Sequence, residues 1–462
     1  MMNWHFQFIV SGLIWFAAVG VGRSDDWPHW MGPRHDGVWR ESGILKTFPP
    51  SGVRYRWRVP VDKGYTGPAV ASGKLYIMDR LEEPSKPDTG SGEDQNAGKG
   101  KKNPGGFPEL AGRERVLCLD VKTGKQIWKY EYDCVYRISY PEGPRTTPLV
   151  DGDRVYTLGA MGHLFCFQRD TGKKLWEKNL LETYQAKAPV WGFAAHLRVY
   201  GEKLVTLAGG DGSAVVCLNK QNGREIWKAQ TAEEVGYAPP VPLVIGDRIQ
   251  LVYWADEFVC GLQLDSGKEN WKIRFPEEPP QRPIVTIMTP QVSGRKIMVS
   301  NFYNGSCVIE VAEDGKSAKK LWAADPGERN HKTGLNILMG APLVRKNHIY
   351  GFAGKGEMRC VELDTGKQLW EEKTATRSDR SSYFATAFIT PHEDRFFIFN
   401  DQGELLIAQI DPAGFRQISR TKIIEPSTFV RGRNIVWSHP AYAQRCLFVR
   451  NSKQLVCVDL SE

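Results

Sequence analysis

The sequence predicts an all-β protein, an eight-bladed β-propeller whose ring is closed by a strand from the N-terminal region. Three observations predict it: a tryptophan-marked phrase recurs every 44–51 residues, a landmark of proline and glycine keeps the same phase, and the last repeat is one strand short. A period of this length fits four short strands per repeat. The composition agrees, because 46 Gly and 15 Trp in 462 residues are typical of a globular protein with many short strands and turns.

The tryptophan-marked phrase is most complete from Asp120 to Trp128, where it has the form Asp-x-x-Thr-Gly-x-x-x-Trp. Its tryptophans are Trp128, Trp176, Trp227, Trp271, Trp322 and Trp370. We interpret the glycine as the positive-φ residue of a tight hairpin turn and the tryptophan as part of the outer strand that follows. A residue that recurs in nearly every repeat is explained by packing between repeats, so these tryptophans are predicted to be structural.

The second landmark marks the innermost strand of a repeat and is followed by a glycine-containing turn. Its prolines are Pro68, Pro148, Pro242, Pro290, Pro342 and Pro440. Together the two landmarks predict inner strands near residues 68, 148, 195, 242, 290, 342, 387 and 440, with Ile418 at the position of the seventh tryptophan. The prediction is therefore eight blades.

The eighth repeat ends with residues 454–460 and lacks its fourth strand. Residues 53–59 alternate apolar and basic side chains with the period of a strand, and they carry Trp57 at the outer-strand position. We therefore expect this segment to complete the last blade and to remove the exposed sheet edge. The propeller is predicted to span residues 53–460.

These residues resemble the pyrroloquinoline-quinone-type (PQQ-like) repeat, in which the tryptophan of each phrase docks against the neighbouring blade. The resemblance covers roughly residues 53–460. It implies an architecture and not one activity, because the repeat is shared by the quinoprotein alcohol dehydrogenase-like superfamily and by noncatalytic scaffolds such as the propeller subunit of the outer-membrane barrel-assembly machinery.

Residues 1–24 are predicted to be a secretory signal peptide, since an apolar run from Phe6 to Val21 is followed by small residues and then by acidic ones. The run is short for a membrane span, so we expect cleavage, export to the periplasm or extracellular space, and no transmembrane segment in the mature chain. No cysteine lies near this boundary, which argues against a lipid-modified N-terminus. The net charge of +8 is small and unclustered, so nucleic acid is not an expected partner.

Residues 25–52 are turn-rich and hold three tryptophans and two histidines between Trp27 and Trp39. We interpret them as an aromatic latch segment that packs on the propeller. A metal or ligand site is the alternative, but no helical or strand spacing brings His29 and His35 together, and no cysteine is nearby.

Residues 82–112 are rich in Gly, Lys, Pro and Ser and interrupt blade one between its second and third strands. Their composition predicts a disordered insertion. Loops at this position emerge on the same face as the loops between blades, so the insertion could cover that face. A solvated loop without a function is the alternative.

The nine cysteines do not predict a disulfide framework. Five of them occupy equivalent third-strand positions in different blades: Cys118, Cys166, Cys217, Cys360 and Cys457. Such positions are too far apart for a disulfide, which requires Cα atoms within about 7 Å. We predict that they are small core residues, in a chain long enough to build its core without disulfides.

Catalytic motifs are missing from the sequence. The resemblance implies, for a quinone-dependent dehydrogenase, adjacent cysteines beside the cofactor and often a Cys-x-x-Cys-His haem site, and the sequence has neither. It also lacks the motifs of serine hydrolases, zinc proteases and phosphate-binding loops. We therefore expect no catalytic residues, no metal and no cofactor. The alternative is an oxidoreductase that holds PQQ with Ca²⁺ over the funnel, bridged by Arg145 or Arg282.

The residues just before each inner strand are predicted to line the mouth of the central funnel, where propellers usually bind. In blade order they are Tyr65, Arg145, Trp191, Tyr237, Arg282, Asn336, Tyr383 and Trp437, with His439 near the last. Aromatic side chains with two arginines suit a carbohydrate, an acidic or quinone-like small molecule, or a peptide. A partly solvated rim without a ligand is the alternative. We predict a monomeric, noncatalytic binding or scaffold propeller that contacts a protein or small-molecule ligand at this face.

Overall fold

The computed structural model describes residues 25–83, 107–277, 280, 284–324, 334–376 and 382–462. It confirms the predicted fold class, because eight four-stranded antiparallel sheets follow one another as the blades of a propeller. The signal-peptide prediction falls on residues 1–24, which lie outside the described residues. In the part of the chain that is described, no helix is long and apolar enough to cross a membrane.

The strands of each blade are given from the channel outward. Blade 1 comprises Ala69–Ala71, Lys74–Glu82, Gly112–Asp120 and Gln126–Asp133, and blade 2 comprises Leu149–Asp151, Arg154–Leu158, His163–Gln168 and Lys174–Asn179. Blade 3 comprises Arg198–Tyr200, Lys203–Leu207, Val215–Asn219 and Glu225–Ala229, and blade 4 comprises Val241–Ile245, Arg248–Trp254, Phe258–Gln263 and Glu269–Arg274. Blade 5 comprises Gln291–Ser293, Lys296–Asn301, Gly305–Val311 and Ala318–Ala323, and blade 6 comprises Leu343–Arg345, His348–Phe352, Met358–Glu362 and Gln368–Glu372. Blade 7 comprises Ala387–His392, Arg395–Asn400, Glu404–Asp411 and Gly414–Lys422, and blade 8 comprises Ala441–Ala443, Cys446–Arg450, Gln454–Asp459 and Arg54–Pro60.

Two elements lie outside the repeat and were not predicted. A short helix, Leu180–Tyr184, follows blade 2, and the side chain of Asn179 caps its N-terminus. A two-stranded hairpin, Thr428–Val430 with Arg433–Ile435, joins blade 7 to blade 8. Each occurs in only one connection between blades, so the repeat pattern of the sequence does not predict it.

The N-terminal strand closes the ring as predicted. Arg54–Pro60 pairs antiparallel with Gln454–Asp459, with a bulge between Tyr55 and Trp57 that re-aims the tryptophan. Arg54 and Arg56 both form ion pairs with the Asp459 carboxylate. Burial opposes ionisation of Asp459, but hydrogen bonds from Ser461 and the two arginines outweigh it and hold its pKa below the usual range. Charge-assisted bonds therefore reinforce the closing strand.

The repeat tryptophans join neighbouring blades, as predicted. Their indole N–H groups donate to backbone carbonyls of the next blade: Trp57 to Val121 (2.9 Å), Trp128 to Arg169 (3.0 Å), Trp176 to Lys220 (3.0 Å), Trp227 to Leu264 (2.9 Å), Trp322 to Leu363 (2.8 Å) and Trp370 to Asp411 (3.0 Å). The bond of Trp57 crosses from blade 8 to blade 1, so the same contact also closes the ring.

Trp271 reaches the next blade indirectly. Its N–H donates to the side-chain oxygen of Gln250 (2.9 Å), and the Gln250 amide donates to the carbonyl of Gly315 in blade 5 (2.8 Å). The amide of Gln250 is buried between the two and is satisfied on both sides. Gln250 therefore mediates the contact between blades 4 and 5, a contact that the repeat tryptophans named above make directly in their own blades.

The turn glycine lies against the tryptophan of the preceding blade. A Cβ at Gly172, where φ is +71°, would lie 2.6 Å from Cδ2 of Trp128. We expect Gly172→Ala to destabilise the fold by about 1–2 kcal/mol for the left-handed backbone and by a further ~1–3 kcal/mol for overpacking. Chemical denaturation measures this cost. In the control Gly152→Ala, φ is +60° and no described heavy atom lies within 4 Å, so only the backbone cost should remain. Equal costs for the two variants would contradict this packing.

The insertion in blade 1 begins later than the composition indicated. Lys74–Glu82 pairs with Gly112–Asp120 along its full length, with Glu82 opposite Gly112, so both predicted boundary residues belong to the sheet. Leu110 also forms a bridge with Tyr136. The predicted disorder falls mainly on residues 84–106, which lie outside the described residues. All nine cysteines are buried free thiols.

Candidate binding site: a blind aromatic funnel

The loops that lead into the inner strands converge around the central channel and enclose a cavity of about 480 Å³. We call this cavity the funnel, the face on which it opens the upper face, and the face that carries the turns after the inner strands the lower face. Six of the nine predicted residues line the funnel: Tyr65, Arg145, Trp191, Tyr237, Trp437 and His439. The geometry therefore brings together all but one of the aromatic side chains that sequence position alone selected.

Three predicted residues do not line the described funnel. Asn336 is buried and donates through its side-chain amide to the carbonyl of Phe302 (3.2 Å), and Leu338 and Met339 face the cavity instead. Tyr383 is 56% exposed, and its neighbour Phe384 lines the cavity, because a φ of +62° at Phe384 turns the chain there. Arg282 lies outside the described residues.

Several lining residues were missed because they lie outside the loop positions that the repeat predicts. They are Trp30, Tyr140, His196, Tyr303, Phe384 and Arg431. Arg431 belongs to the hairpin between blades 7 and 8, and its guanidinium lies 4.7 Å from the ring centre of Phe384. The three-tryptophan cluster around Trp30 was the one signal that pointed to any of them.

The N-terminal segment enters the channel from the lower face. Asp26 accepts a hydrogen bond from Ser72, in the turn after the first inner strand (3.0 Å), and Trp27 exchanges two backbone hydrogen bonds of 2.8 Å with Val70. The chain then turns at Trp30 and leaves again by the lower face, where Trp39 donates to the carbonyl of Pro391 (2.9 Å). This hairpin-like path occupies the channel below the funnel.

Trp30 forms the floor of the funnel. Its ring stacks on His196 with centroids 4.9 Å apart, lies 4.0 Å from the ring of His439, and contacts Phe388 edge-on. Its N–H donates to Thr289 (3.3 Å). One side chain thus contacts blades 3, 5, 7 and 8 and closes the channel, so the funnel is open on the upper face and blind below.

His29 and His35 lie together, contrary to the sequence-based expectation. Their rings stack with centroids 3.6 Å apart, and each Nδ1 lies within 3.3 Å of the carbonyl oxygen of Trp30. The chain reverses between them through positive φ angles at Met31 and Gly32, a local geometry that regular helix or strand spacing does not contain. No group of three or more metal-ligating side chains occurs in the described residues, so the pair is not by itself a metal centre.

The histidines of the channel are neutral near pH 7. Burial lowers the pKa of His439 to about 3 and that of His29 to about 4. Burial, then the nearby His439 and Arg198, lower the pKa of His196 well below its usual value. The backbone N–H of Thr147 donates to Nδ1 of His196 (3.1 Å), so the ring proton of neutral His196 lies on Nε2.

We expect the fold to lose stability on mild acidification. Each of these histidines has a folded-state pKa below the value of about 6.5 in the unfolded chain. Between pH 6.5 and 5 the unfolded state therefore binds more protons, and the stability that neutral His439 contributes above pH 6.5 is progressively lost. Urea unfolding midpoints at pH 7.5 and 5.5 measure the loss, and His439→Gln should reduce it. An unchanged pH dependence in that variant would contradict the assignment.

Among the described lining residues, three polar groups are buried without a hydrogen-bond partner: the hydroxyl of Tyr65, the indole N–H of Trp437 and Nδ1 of His439. The indole N–H and the hydroxyl can both donate to a ligand. Arg145 is already satisfied, because its guanidinium donates to the backbone carbonyls of Ser139, Tyr140 and Gly143. Among the described lining residues there is no carboxylate and no side-chain amide. The funnel therefore suits an apolar group that carries acceptors.

The described residues do not fit PQQ with Ca²⁺. Ca²⁺ requires several oxygen ligands, and the described lining offers no carboxylate or amide oxygen for it. Arg145, the residue expected to bridge to the quinone, already donates its guanidinium hydrogen bonds to backbone carbonyls.

Comparisons with known proteins agree with the repeat. A family model described as outer membrane protein assembly factor BamB matches residues 54–186 and 160–410. Curated relatives include this assembly factor from Burkholderia pseudomallei, 24% identical over 260 residues (56% of this chain, 61% of the relative), and from Shewanella oneidensis, 19% identical over 259 residues (55% and 63%). The match thus spans about three fifths of the length of these relatives.

Solved structures show the same fold. BamB from Moraxella catarrhalis matches with a TM-score of 0.54 and 12% identity, over 88% of this chain and 97% of that one. The quinohemoprotein alcohol dehydrogenase ADHIIG from Pseudomonas putida HK5 matches with a TM-score of 0.53 and 12% identity, over 94% and 80%. At 12% identity, these structural similarities show the fold alone. The family model, in contrast, matches most of the propeller in sequence. The chain belongs to the outer membrane protein assembly factor BamB family.

Proposed function

We propose that this chain is a noncatalytic, exported binding propeller that takes part in outer-membrane protein assembly by receiving apolar side chains of a partner polypeptide in the funnel. The observation that carries the proposal is a blind cavity of about 480 Å³ with aromatic walls and unpartnered donors. The assembly role is the one stated in the names of the relatives. Fold alone would not support it, since propellers serve many functions.

The chemistry of the funnel favours a polypeptide over a carbohydrate. Backbone carbonyls are acceptors, and they match the free donors of Tyr65 and Trp437. A carbohydrate carries hydroxyl groups over most of its surface, whereas most of the described lining residues are aromatic or aliphatic. Apolar side chains of a peptide would fill the aromatic cavity, as in other pocket-based recognition of extended segments.

The rim of the funnel extends the apolar surface. Val430 and Ile435 of the hairpin pack into the cluster that surrounds the mouth, which leaves Phe429 71% exposed beside it. Tyr383 and Val190 are exposed at 56% and 37%. Exposed apolar patches next to a cavity mark interaction sites in soluble proteins. Strands of outer-membrane barrels alternate apolar and polar residues over about ten residues, and such a segment presents side chains to this surface at every second position.

A fluorescence anisotropy titration tests the proposal. The probe is a labelled ten-residue peptide that alternates Phe or Leu with Thr or Ser, and the reference peptide replaces every apolar residue by Ser. We expect saturable binding of the first peptide alone, weakened at least tenfold by Trp191→Ala. Ile127, 44% exposed on an outer strand, supplies the matched control Ile127→Ala, which should bind as the native chain does. Equal binding by both variants, or no binding at all, would overturn the proposal.

A further inference from the structure

A second polar cluster lies on the lower side of Trp30, outside the funnel. Arg198 begins the inner strand of blade 3, two residues after His196, and its charge is one of the causes that lower the pKa of His196. After burial, the charge of Arg198 is the next cause that lowers the pKa of His35, and it also lowers that of His29. Arg198 therefore lies beside the stacked histidines of the N-terminal segment.

Arg198 leaves two guanidinium groups without a partner, more than any other buried arginine of the described chain; Arg80 and Arg395 each leave only Nε. Arg450, 0% exposed, donates through all three groups of its guanidinium to the carbonyls of Asn451, Met78 and Asp62. Arg145 is satisfied in the same manner by three carbonyls. Arg198 is 2% exposed, yet its Nε and Nη1 have no hydrogen-bond partner.

The groups around Arg198 do not neutralise it. His29 and His35 face it from the N-terminal segment, and His196 and Tyr200 lie two residues before and after it. Asp151, the carboxylate that acts on His29, is engaged by Lys220 at 2.7 Å. A guanidinium remains charged at any ordinary pH, and a buried charge is costly unless it is paired and hydrogen-bonded.

We propose that Arg198, together with the half-buried rings of His29 and His35, forms a binding site for one small oxyanion at the lower end of the channel. The unpartnered Nε and Nη1 present N–H groups at two edges of the guanidinium. An oxyanion at either edge would accept a charge-assisted hydrogen bond. The histidines belong to the N-terminal segment, and Arg198 belongs to blade 3. A bound anion would therefore link the N-terminal segment to the propeller. This site is separate from the funnel and does not depend on the proposed function.

The site has a defined response to pH. A bound anion favours the protonated form of His29 and His35, the two rings that face it from the N-terminal segment. Binding therefore takes up protons, and affinity rises as the pH falls from 7.5 to 5.5. His196 and Tyr200, two residues before and after Arg198, and Asp151 of blade 2 with its partner Lys220 of blade 3 are the other charged or titratable groups next to the site.

Titration of the full chain with sodium formate and with inorganic phosphate, at constant ionic strength set by sodium chloride, tests the proposal. We expect a saturable rise in melting temperature and a shift of the ring ¹⁵N signals of His29 and His35, both stronger at pH 5.5. Response to formate alone identifies a carboxylate site, and response to phosphate alone a phosphate site.

Arg198→Met should abolish both signals while the chain remains folded, because an apolar side chain removes the unpaired charge. The control Arg169→Met removes a half-buried arginine that already pairs with Asp170, and it should leave the response intact. If Arg198→Met fails to fold, Arg198→Lys keeps the charge but replaces the planar guanidinium by a single ammonium group, and it should weaken binding at least tenfold. A native chain without a saturable response, or an Arg198 variant with an undiminished one, would overturn the proposal.

Discussion

Replacing Trp57 by alanine should lower the free energy of unfolding by about 3–5 kcal/mol, the range for truncating a buried aromatic side chain. Trp57 is 8% exposed, packs against Gly124 of blade 1 and donates to the carbonyl of Val121. Because it sits on the closing strand, its loss weakens both the last blade and the junction between the two ends of the ring. Denaturant unfolding monitored by circular dichroism measures the effect.

Trp370→Ala is the matched control for this prediction. Trp370 occupies the same repeat position in blade 6 and makes the same bond to a carbonyl, that of Asp411, but it is only half-buried and does not lie at the closure. We expect a clearly smaller loss of stability. Equal losses in the two variants would mean that the closing junction has no special importance.

Replacing Trp30 by alanine should open the blind end of the funnel and lower the free energy of unfolding by about 3–5 kcal/mol. Trp30 is 9% exposed, and its ring contacts His196, His439 and Phe388. The alanine leaves a cavity continuous with the funnel, because Phe388 lies in an inner strand, His196 and His439 lie directly before inner strands, and packed neighbours of this kind relax only partially.

Trp30→Phe distinguishes the packing of the Trp30 ring at the funnel floor from its hydrogen bond to Thr289. A phenyl ring retains most of the apolar contact and loses only the bond to Thr289, so we expect about 1 kcal/mol of destabilisation from that bond and a funnel that remains closed. A crystal structure of each variant shows whether the channel is open. A Trp30→Ala variant as stable as the native chain would show that the N-terminal segment does not support the ring.

The sequence predicts the ring well because its signals recur. Every predicted inner strand begins within three residues of its position in the structure, since each is bracketed by a landmark and the landmarks check one another. The closing strand was predictable for the same reason: Trp57 occupies a repeat position, and the last repeat lacked a strand. Because each weak local signal recurs in most repeats, the number of blades can be counted from the sequence.

Features that occur once were not predictable in this manner. The position of Trp30 depends on contacts with blades that follow it by more than 150 residues, such as those with His196 and His439. Phe384 replaces Tyr383 in the funnel because of one positive φ angle. Sequence position placed Arg145 at the funnel, but only coordinates show that three carbonyls already occupy its donors.

The same distinction explains Arg198. An arginine in an inner strand predicts a polar side chain in the channel, but its lack of acceptors depends on the path of the N-terminal segment. The stacked pair of His29 and His35 likewise arises from a reversal of the chain that no periodicity records. Sites formed where a unique segment meets a repeated scaffold require the structure.

Site-specific photocrosslinking tests most directly the claim that the funnel is the binding surface. Benzoylphenylalanine replaces Trp191 at the funnel in one variant and Ile127 on the exposed outer strand in another. Each variant is irradiated with the labelled alternating peptide, and the label is located by mass spectrometry. We expect crosslinks from position 191 and none above background from position 127. Crosslinks from position 127 without any from position 191 would contradict it.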